Sequence, residues 1–152
     1  MTDFRLRKAE RSDLNSVIRL WKRNIKTVNT AADIAEFFDA AEYYFYVAVA
    51  PGSNGKENLI GFIGGAIRGG HGHISGIAVD KPYRRRGVGK ELMTALELAF
   101  LNESFTIITL EVRVSNTGAI RFYEKQGYRM VYTVKGYYAD GEDAFVCKKK
   151  LR

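Results

Sequence analysis

The sequence predicts an α+β domain, one mixed sheet with helices packed on it. Three observations predict it. Short alternating or β-branched stretches recur along the chain, interrupted by segments whose apolar residues fall at helical spacing. A strand, a long helix and a second strand follow one another across residues 73–114, and such a βαβ unit makes its two strands parallel neighbours. Between the first of these strands and its helix, Arg84-Arg85-Arg86-Gly87-Val88-Gly89 packs three cations and two glycines at a helix start.

Taken in order, Phe4-Arg5-Leu6-Arg7 alternates and reads as a first strand. Ser12 reads as the cap of a helix that carries Leu14, Val17, Ile18, Trp21 and Ile25 on one face and Lys22, Arg23 and Lys26 on its other side. Asn29 or Thr30 caps a second, short helix through Phe38, whose aromatics Phe37 and Phe38 read as core. Residues 44–50 form a strand, Pro51-Gly52-Ser53-Asn54-Gly55 a turn, and residues 59–68 a third strand. Gly69-Gly70-His71-Gly72 reads as the next turn, leading into the strand at 73–79. From Val88 the apolar positions Leu92, Met93, Leu96, Ala99 and Phe100 define the long helix. Residues 106–114 form a strand with Ile108, Leu110, Val112 and Val114 on one face and Thr109, Glu111 and Arg113 on the other. A short helix starts at Ser115-Asn116-Thr117 and ends at Gly127, and two last strands occupy 128–134 and 144–149.

At 152 residues this is one domain, spanning residues 1–152, large enough for a core of its own. No apolar run is long enough to span a bilayer, and MTDFRLRKAE is not followed by the apolar stretch of a secretory signal. Cys147 is the only cysteine, so an internal disulfide and a thiolate metal cluster are excluded, and a cytoplasmic location is expected. His71 and His73 are too few for a zinc site without other ligands, so no metal is expected. The net charge of +7 favours anionic partners such as a nucleotide-bearing cofactor, an acidic peptide or RNA. Lys148-Lys149-Lys150 and Arg152 form a basic end, too short to read as a nucleic-acid arm rather than a solvated strand terminus.

The loop before the long helix carries the first chemical signal. Unpaired N–H groups and partial positive charge make a helix start an anion site, and neighbouring arginines add attraction. A Walker phosphate loop is excluded because Glu91 follows Gly89-Lys90, and a dinucleotide fingerprint because its third glycine is missing. The alternative is a solvated basic turn that merely caps the helix.

Arg84-x-x-Gly87-x-Gly89 after a strand resembles the pyrophosphate loop of the GNAT superfamily of acetyl-CoA-dependent N-acetyltransferases. Leu110-Glu111-Val112-Arg113-Val114-Ser115-Asn116, the run from Ala119 to Tyr128, and Gly136-Tyr137-Tyr138-Ala139-Asp140-Gly141-Glu142-Asp143-Ala144 resemble the RimI/Ard group of N-terminal protein acetyltransferases. The resemblance covers residues 73–147, about half the chain. It implies a GNAT fold: a seven-stranded, mostly antiparallel mixed sheet flanked by about four helices around the parallel βαβ unit. It also implies acetyl-CoA as cosubstrate; a monomer or homodimer is expected.

Residue by residue, the resemblance implies that Ile77, Ala78 and Val79 form the strand edge that pairs with pantetheine. Arg84, Arg85, Arg86, Gly87, Val88, Gly89 and Lys90 form the pyrophosphate cradle. Asn116 contacts pantetheine, Tyr123 is the acid near the thiol, and Tyr137 and Tyr138 are one lip of the peptide groove. Each residue has a plainer reading: strand core for Ile77 and Val79, a helix cap for Asn116, a packed aromatic for Tyr123, and an ordinary surface turn for the two tyrosines.

No Ser–His–Asp or activated-cysteine set is evident, which suits direct attack of the amine on the thioester. An N-terminal amine, with a pKa of about 7.7–8.0, is already partly neutral near pH 7. The backbone N–H of Val79 would stabilise the oxyanion and a phenol would protonate the leaving thiolate. Glu111 leads as the base and His73 is second, since archaeal Ard-type enzymes carry a histidine there. The plainer readings are a Glu111–Arg113 salt bridge and a strand-end histidine. One departure stands out: Asn24-Ile25-Lys26-Thr27-Val28-Asn29 replaces the Glu-Asn-Tyr-Pro-like stretch of the group, without its acid, aromatic or proline.

The leading function is therefore acetyl transfer to the N-terminal α-amine of a protein, for instance a ribosomal one. The alternatives are acetylation of a lysine or small amine on the same fold, or a basic RNA- or ribosome-binding module. No nucleic-acid motif supports the last, and contact with nucleic acid is expected only through the ribosome.

Overall fold

The computed structural model describes residues 3–26, 29–41 and 43–151. Thr27 and Val28 of the departing stretch, and Arg152 of the basic end, lie outside the described residues. In chain order the elements are β1 (Arg5–Lys8), α1 (Leu14–Asn24), α2 (Ala31–Ala41), β2 (Phe45–Pro51), β3 (Glu57–Arg68), β4 (His71–Val79), α3 (Val88–Asn102), β5 (Ile107–Arg113), α4 (Thr117–Lys125), β6 (Arg129–Val134) and β7 (Ala144–Lys150). The seven strands form one sheet in the order β1-β2-β3-β4-β5-β7-β6. All neighbours are antiparallel except β4 and β5. This is the predicted α+β architecture with its parallel pair. Among the described residues no helix is long and apolar enough to cross a membrane.

Helices cover both faces, and each face has its own core. On one, the helical stripe of α3, Val88, Leu92, Met93, Leu96 and Phe100, packs on Ile60, Ile63, Ile108 and Leu110. Leu92, Leu96 and Phe100 are fully buried, each worth about 2–3 kcal/mol of apolar burial. On the other face, Val17, Leu20, Ile34 and Phe38 of α1 and α2 pack on Phe45, Val47 and Phe62. Trp21 stacks on Phe62 at 5.6 Å and meets Phe37 edge-on at 5.2 Å, so the α2 aromatics are core as read.

Two local readings change and one choice is decided. Ser12 is not the cap: Glu10 N–H donates to Asp13 Oδ2 at 2.7 Å, and the Arg7 fork donates to both Asp13 oxygens at 2.8 and 2.9 Å. A carboxylate takes the backbone donor and the guanidinium together, which a hydroxyl does not. At α2 the cap is Thr30, one of the two residues read there, in a reciprocal box: Asp33 N–H to Thr30 Oγ1 at 3.1 Å and Thr30 N–H to Asp33 Oδ2 at 2.9 Å. Finally, His71 and Gly72 belong to β4. The β3–β4 turn is Gly69-Gly70 alone, with φ of 57° and 83°, as two-residue hairpins with both central residues at positive φ require.

The site is built where β4 leaves β5. The two strands pair only through Gly72–Ile74 against Ile108–Leu110. A register shift between Gly64 and Gly65 makes Ser75 an extra residue in β4, and such a bulge bends its strand. Beyond it β4 and β5 diverge and leave an open edge. Asp80 N–H donates to Ile60 O at 2.8 Å. Counting back from that bond by antiparallel alternation, Gly76 and Ala78 bond to β3, whereas Ile77 and Val79 turn their N–H and C=O groups to the open edge.

Candidate active site

A cavity of about 930 Å³ fills the cleft between the diverging strands. Its walls are the end of α1 (Trp21, Asn24, Ile25) with Lys26, residues 74–77 of β4, residues 111–113 of β5, Asn116, Ala119 and Tyr123, and residues 137–140 of the β6–β7 loop. Gly76 is part of this wall because a Cβ there would come within 3.2 Å of the Trp21 ring.

Glu111 is the one carboxylate brought to the cavity from β5. Its Oε1 accepts from the Tyr137 hydroxyl at 3.0 Å and lies 3.1 Å from His73 Nε2. Arg68 reaches its Oε2 at 3.4 Å. Burial favours the neutral acid, but the His73 ring, the Tyr137 hydroxyl and the Arg68 charge outweigh it and hold the carboxyl below its usual range. Glu111 is therefore ionised at neutral pH. His73 is 1% exposed and sits behind Glu111 rather than in the cavity wall. The two alternative bases of the sequence reading are thus one hydrogen-bonded pair. The Glu111–Arg113 salt bridge is not made: Arg113 turns to Asp140 and Glu142, at 2.9 Å each, and stacks on the Tyr138 ring at 4.1 Å. These bonds hold Tyr137 and Tyr138 on the cavity lip, Tyr138 with its phenol pushed up to about 12, mainly by burial.

At the other end of β4, Arg85, Arg86 and Lys90 are exposed, and their side chains make no ion pair or hydrogen bond among the described residues. Arg86 lies over the Tyr83 ring at 5.8 Å. Gly87 opens α3 with φ 84°, a left-handed position that a glycine takes without strain. The N–H groups of Val88, Gly89 and Lys90 begin the helix and face no intrahelical acceptor. Gly89 allows α4 to approach: a Cβ there would lie 3.1 Å from the Phe122 ring. Arg84 behaves differently from its neighbours. Its Nε donates to Val79 O at 2.9 Å and its Nη2 to Asn24 Oδ1 at 2.8 Å, so it clamps the loop to β4 and α1. Ala78 is also a framework residue, its side chain in the α1–α2 core and its backbone bonded to β3.

Asn116 caps α4, its Oδ1 accepting from Ala119 N–H at 3.2 Å, and at the same time lines the cavity. The Tyr123 hydroxyl has no hydrogen-bond partner among the described residues, and burial pushes the phenol up, so it is protonated at neutral pH.

An open strand edge, free cations and a left-handed glycine at a helix start now stand together, and residues 13–128 match the Acetyltransferase (GNAT) family. The chain belongs to the GNAT acetyltransferase family. An uncharacterized N-acetyltransferase of Methanocaldococcus jannaschii is 38% identical over 146 residues, 95% of this chain and 90% of its own. An N-alpha-acetyltransferase of Saccharolobus solfataricus is 33% identical over 162 residues, covering 98% and 94%. The crystal structure of Ard1 from Thermoplasma volcanium superimposes with a TM-score of 0.90 at 29% identity, covering 99% of each chain.

Several residues of this GNAT site were absent from the sequence reading. Arg68 reaches Glu111 from 43 residues away, and Asn24 ties α1 to Arg84 across 60 residues. Neither leaves a local trace. Thr109 did: it lies two positions before Glu111, on the same strand face.

Proposed function

We propose that this GNAT enzyme transfers an acetyl group from acetyl-CoA to the α-amine at the N-terminus of a protein. The observation that carries the reading is the bridged mouth of the cavity. Lys26 Nζ lies 3.5 Å from Asp140, and Arg113 Nη2 donates to Lys26 O at 3.3 Å, joining the end of α1 to the β6–β7 loop. A chain terminus enters beneath such a bridge end-on. A lysine in mid-chain brings two flanking strands of peptide that the bridge obstructs.

The residues present fit acetyl-CoA. The free N–H groups of Ile77 and Val79 suit an extended amide chain laid along the open edge. Arg85, Arg86, Lys90 and the first N–H groups of α3 suit a diphosphate. Acetyl-CoA, when bound, supplies the activated thioester. The Val79 N–H polarises the acyl oxygen. Glu111 takes the proton of the acceptor ammonium, and its negative charge orients that ammonium before the proton moves. Tyr123 holds the proton needed by the departing sulfur.

The test is acetyl transfer to three acceptors: peptides with a free N-terminus, the same peptides blocked at the N-terminus but carrying lysine, and a polyamine. Thiol release and mass-spectrometric localisation read the outcome. Modification confined to free N-termini is expected, and efficient modification of the blocked peptides overturns the reading in favour of side-chain amines. For Tyr123→Phe, turnover should fall about 10–100-fold while CoA affinity stays within about twofold, because the phenol acts only as the thiolate leaves. Unchanged turnover reduces Tyr123 to a packing residue.

A further inference from the structure

The face of the sheet that carries Glu111 also carries a row of cations. The helices α1 and α2 lie on this face, and among the described residues the core beneath them includes none from β5, β6 or β7. Across that uncovered part the register lines up basic side chains. Arg68 of β3 pairs with His71 of β4, whose ring reaches the Thr109 hydroxyl of β5 at 2.9 Å. Lys148 of β7 stands opposite Thr109, and Arg129 of β6 stands opposite Lys148. Lys150 lies opposite Ile107, two residues further along the same face.

Arg68, Arg129 and Lys150 are exposed and Lys148 is half-buried. The side chains of Arg129, Lys148 and Lys150 make no ion pair or hydrogen bond among the described residues. Lys149 shows the contrast: strand alternation sends it to the opposite face, where it meets both Glu97 oxygens at 3.2 Å. Burial, His73, Arg68 and Lys148 hold the His71 ring below its usual range, so at neutral pH it adds no charge. The carboxylate beside the row is Glu111, already engaged by Tyr137, His73 and Arg68. Cations directly opposite one another in a sheet repel, so Arg129 and Lys148 gain from an anionic partner laid over them. The run from Lys148 to Lys150 reads in sequence as a solvated strand end; folding joins two of its lysines to Arg68 and Arg129 on one surface.

We propose that this row receives an acidic segment of the acceptor protein, a few residues behind the amine that enters the cavity. The proposal rests on the reading of that amine as a chain terminus meeting Glu111. The row starts at the rim of the cavity, where Arg68 lies 3.4 Å from Glu111. Thr109 is two strand residues from Glu111, about 7 Å, a distance that about two residues of extended acceptor chain also span. From Arg68 to Arg129 the row crosses four strand spacings, about 19 Å, or about five to six extended residues. This continuity with the cavity favours a segment of the acceptor over a nucleic acid. Contacts of this kind act alike before and in the transition state, so they lower KM and leave kcat unchanged. They are exposed, so salt screens them.

The test is acetylation of peptides with a free N-terminus that share their first two residues and carry either aspartates or asparagines from the third to the sixth. At low ionic strength the aspartate peptide is expected to have a KM about tenfold lower with kcat within about twofold, and salt at about 0.5 M should close the gap. Arg129→Glu with Lys150→Glu should raise KM for the aspartate peptide about tenfold and leave the asparagine peptide within about twofold, which also shows that the variant is folded. Arg19→Glu with Lys56→Glu makes the same change of net charge away from the row and should keep the preference. Equal use of the two peptides at low salt, or equal loss of preference in both double variants, overturns the proposal. So does a single-stranded RNA oligonucleotide that binds the parent but not Arg129→Glu with Lys150→Glu while the two peptides are used alike, since the row then serves nucleic acid. Acetylation of lysines in N-terminally blocked peptides in place of free N-termini, with the acidic preference intact, would overturn the functional reading alone.

Discussion

Glu111→Gln lowers kcat about 100–1,000-fold, the range expected for loss of a positioned proton acceptor. The substitution is nearly isosteric: its one oxygen can keep the bond from the Tyr137 hydroxyl, while its amide NH2 takes the place of the oxygen that faces Arg68, so the cavity keeps its shape. What it removes is the negative charge that, in the proposed reaction, draws the acceptor ammonium. The variant then reacts only with amine that is already neutral. Its pH profile should therefore follow the acceptor's own α-amine, at about 7.7–8.0, and move when peptides of different amine pKa are compared. The parent's acidic limb should stay with the protein. His73→Asn should cost less than Glu111→Gln, because the buried ring lies behind the carboxylate and does not meet the acceptor. Turnover of Glu111→Gln within about threefold of the parent, at any pH, would leave positioning and the Val79 contact to carry the reaction.

The second large effect lies at the start of α3. Gly87→Asp should weaken CoA binding about 100-fold, or about 3 kcal/mol, while the far-UV CD spectrum stays native. There is room for the side chain, since a Cβ at Gly87 meets nothing within 4 Å. The left-handed φ of 84° costs an ordinary residue about 1–2 kcal/mol, but aspartate is among the residues that tolerate it. A carboxylate at this N-cap is also favourable to the helix. That is the reason for the expected loss: the new charge would occupy the proposed anion site of Arg85, Arg86, Lys90 and the free N–H groups. Calorimetry with CoA measures the effect. Affinity within about threefold of the parent would remove this loop from the cofactor site.

Much of this was fixed by the residues in sequence. Helical spacing defined α1 and α3, alternation defined β5, and the right-handed crossover rule made β4 and β5 parallel neighbours. The glycines and arginines before α3 marked a candidate anion site because helix starts are electropositive wherever they occur. Asn116 was legible as a cap for the same local reason. These features depend on residues within a few positions of one another, and their physics is complete over that distance.

Other features arose only from folding. The insertion of β7 between β5 and β6 leaves no periodic signal, because strands pair through backbone groups that every sequence shares. Arg113 had Glu111 two residues away, yet it pairs with Asp140 and Glu142, 27 and 29 residues on. Arg84 sits among phosphate-binding candidates, yet turns inward to Val79 and Asn24. A guanidinium with five donors takes whichever acceptors the tertiary structure brings within reach. His73 and Glu111 read as rivals for one role because 38 residues separate them. The short parallel pairing of β4 with β5 sets His73 opposite Thr109, next to Glu111 on the same face, and makes the two side chains a single unit.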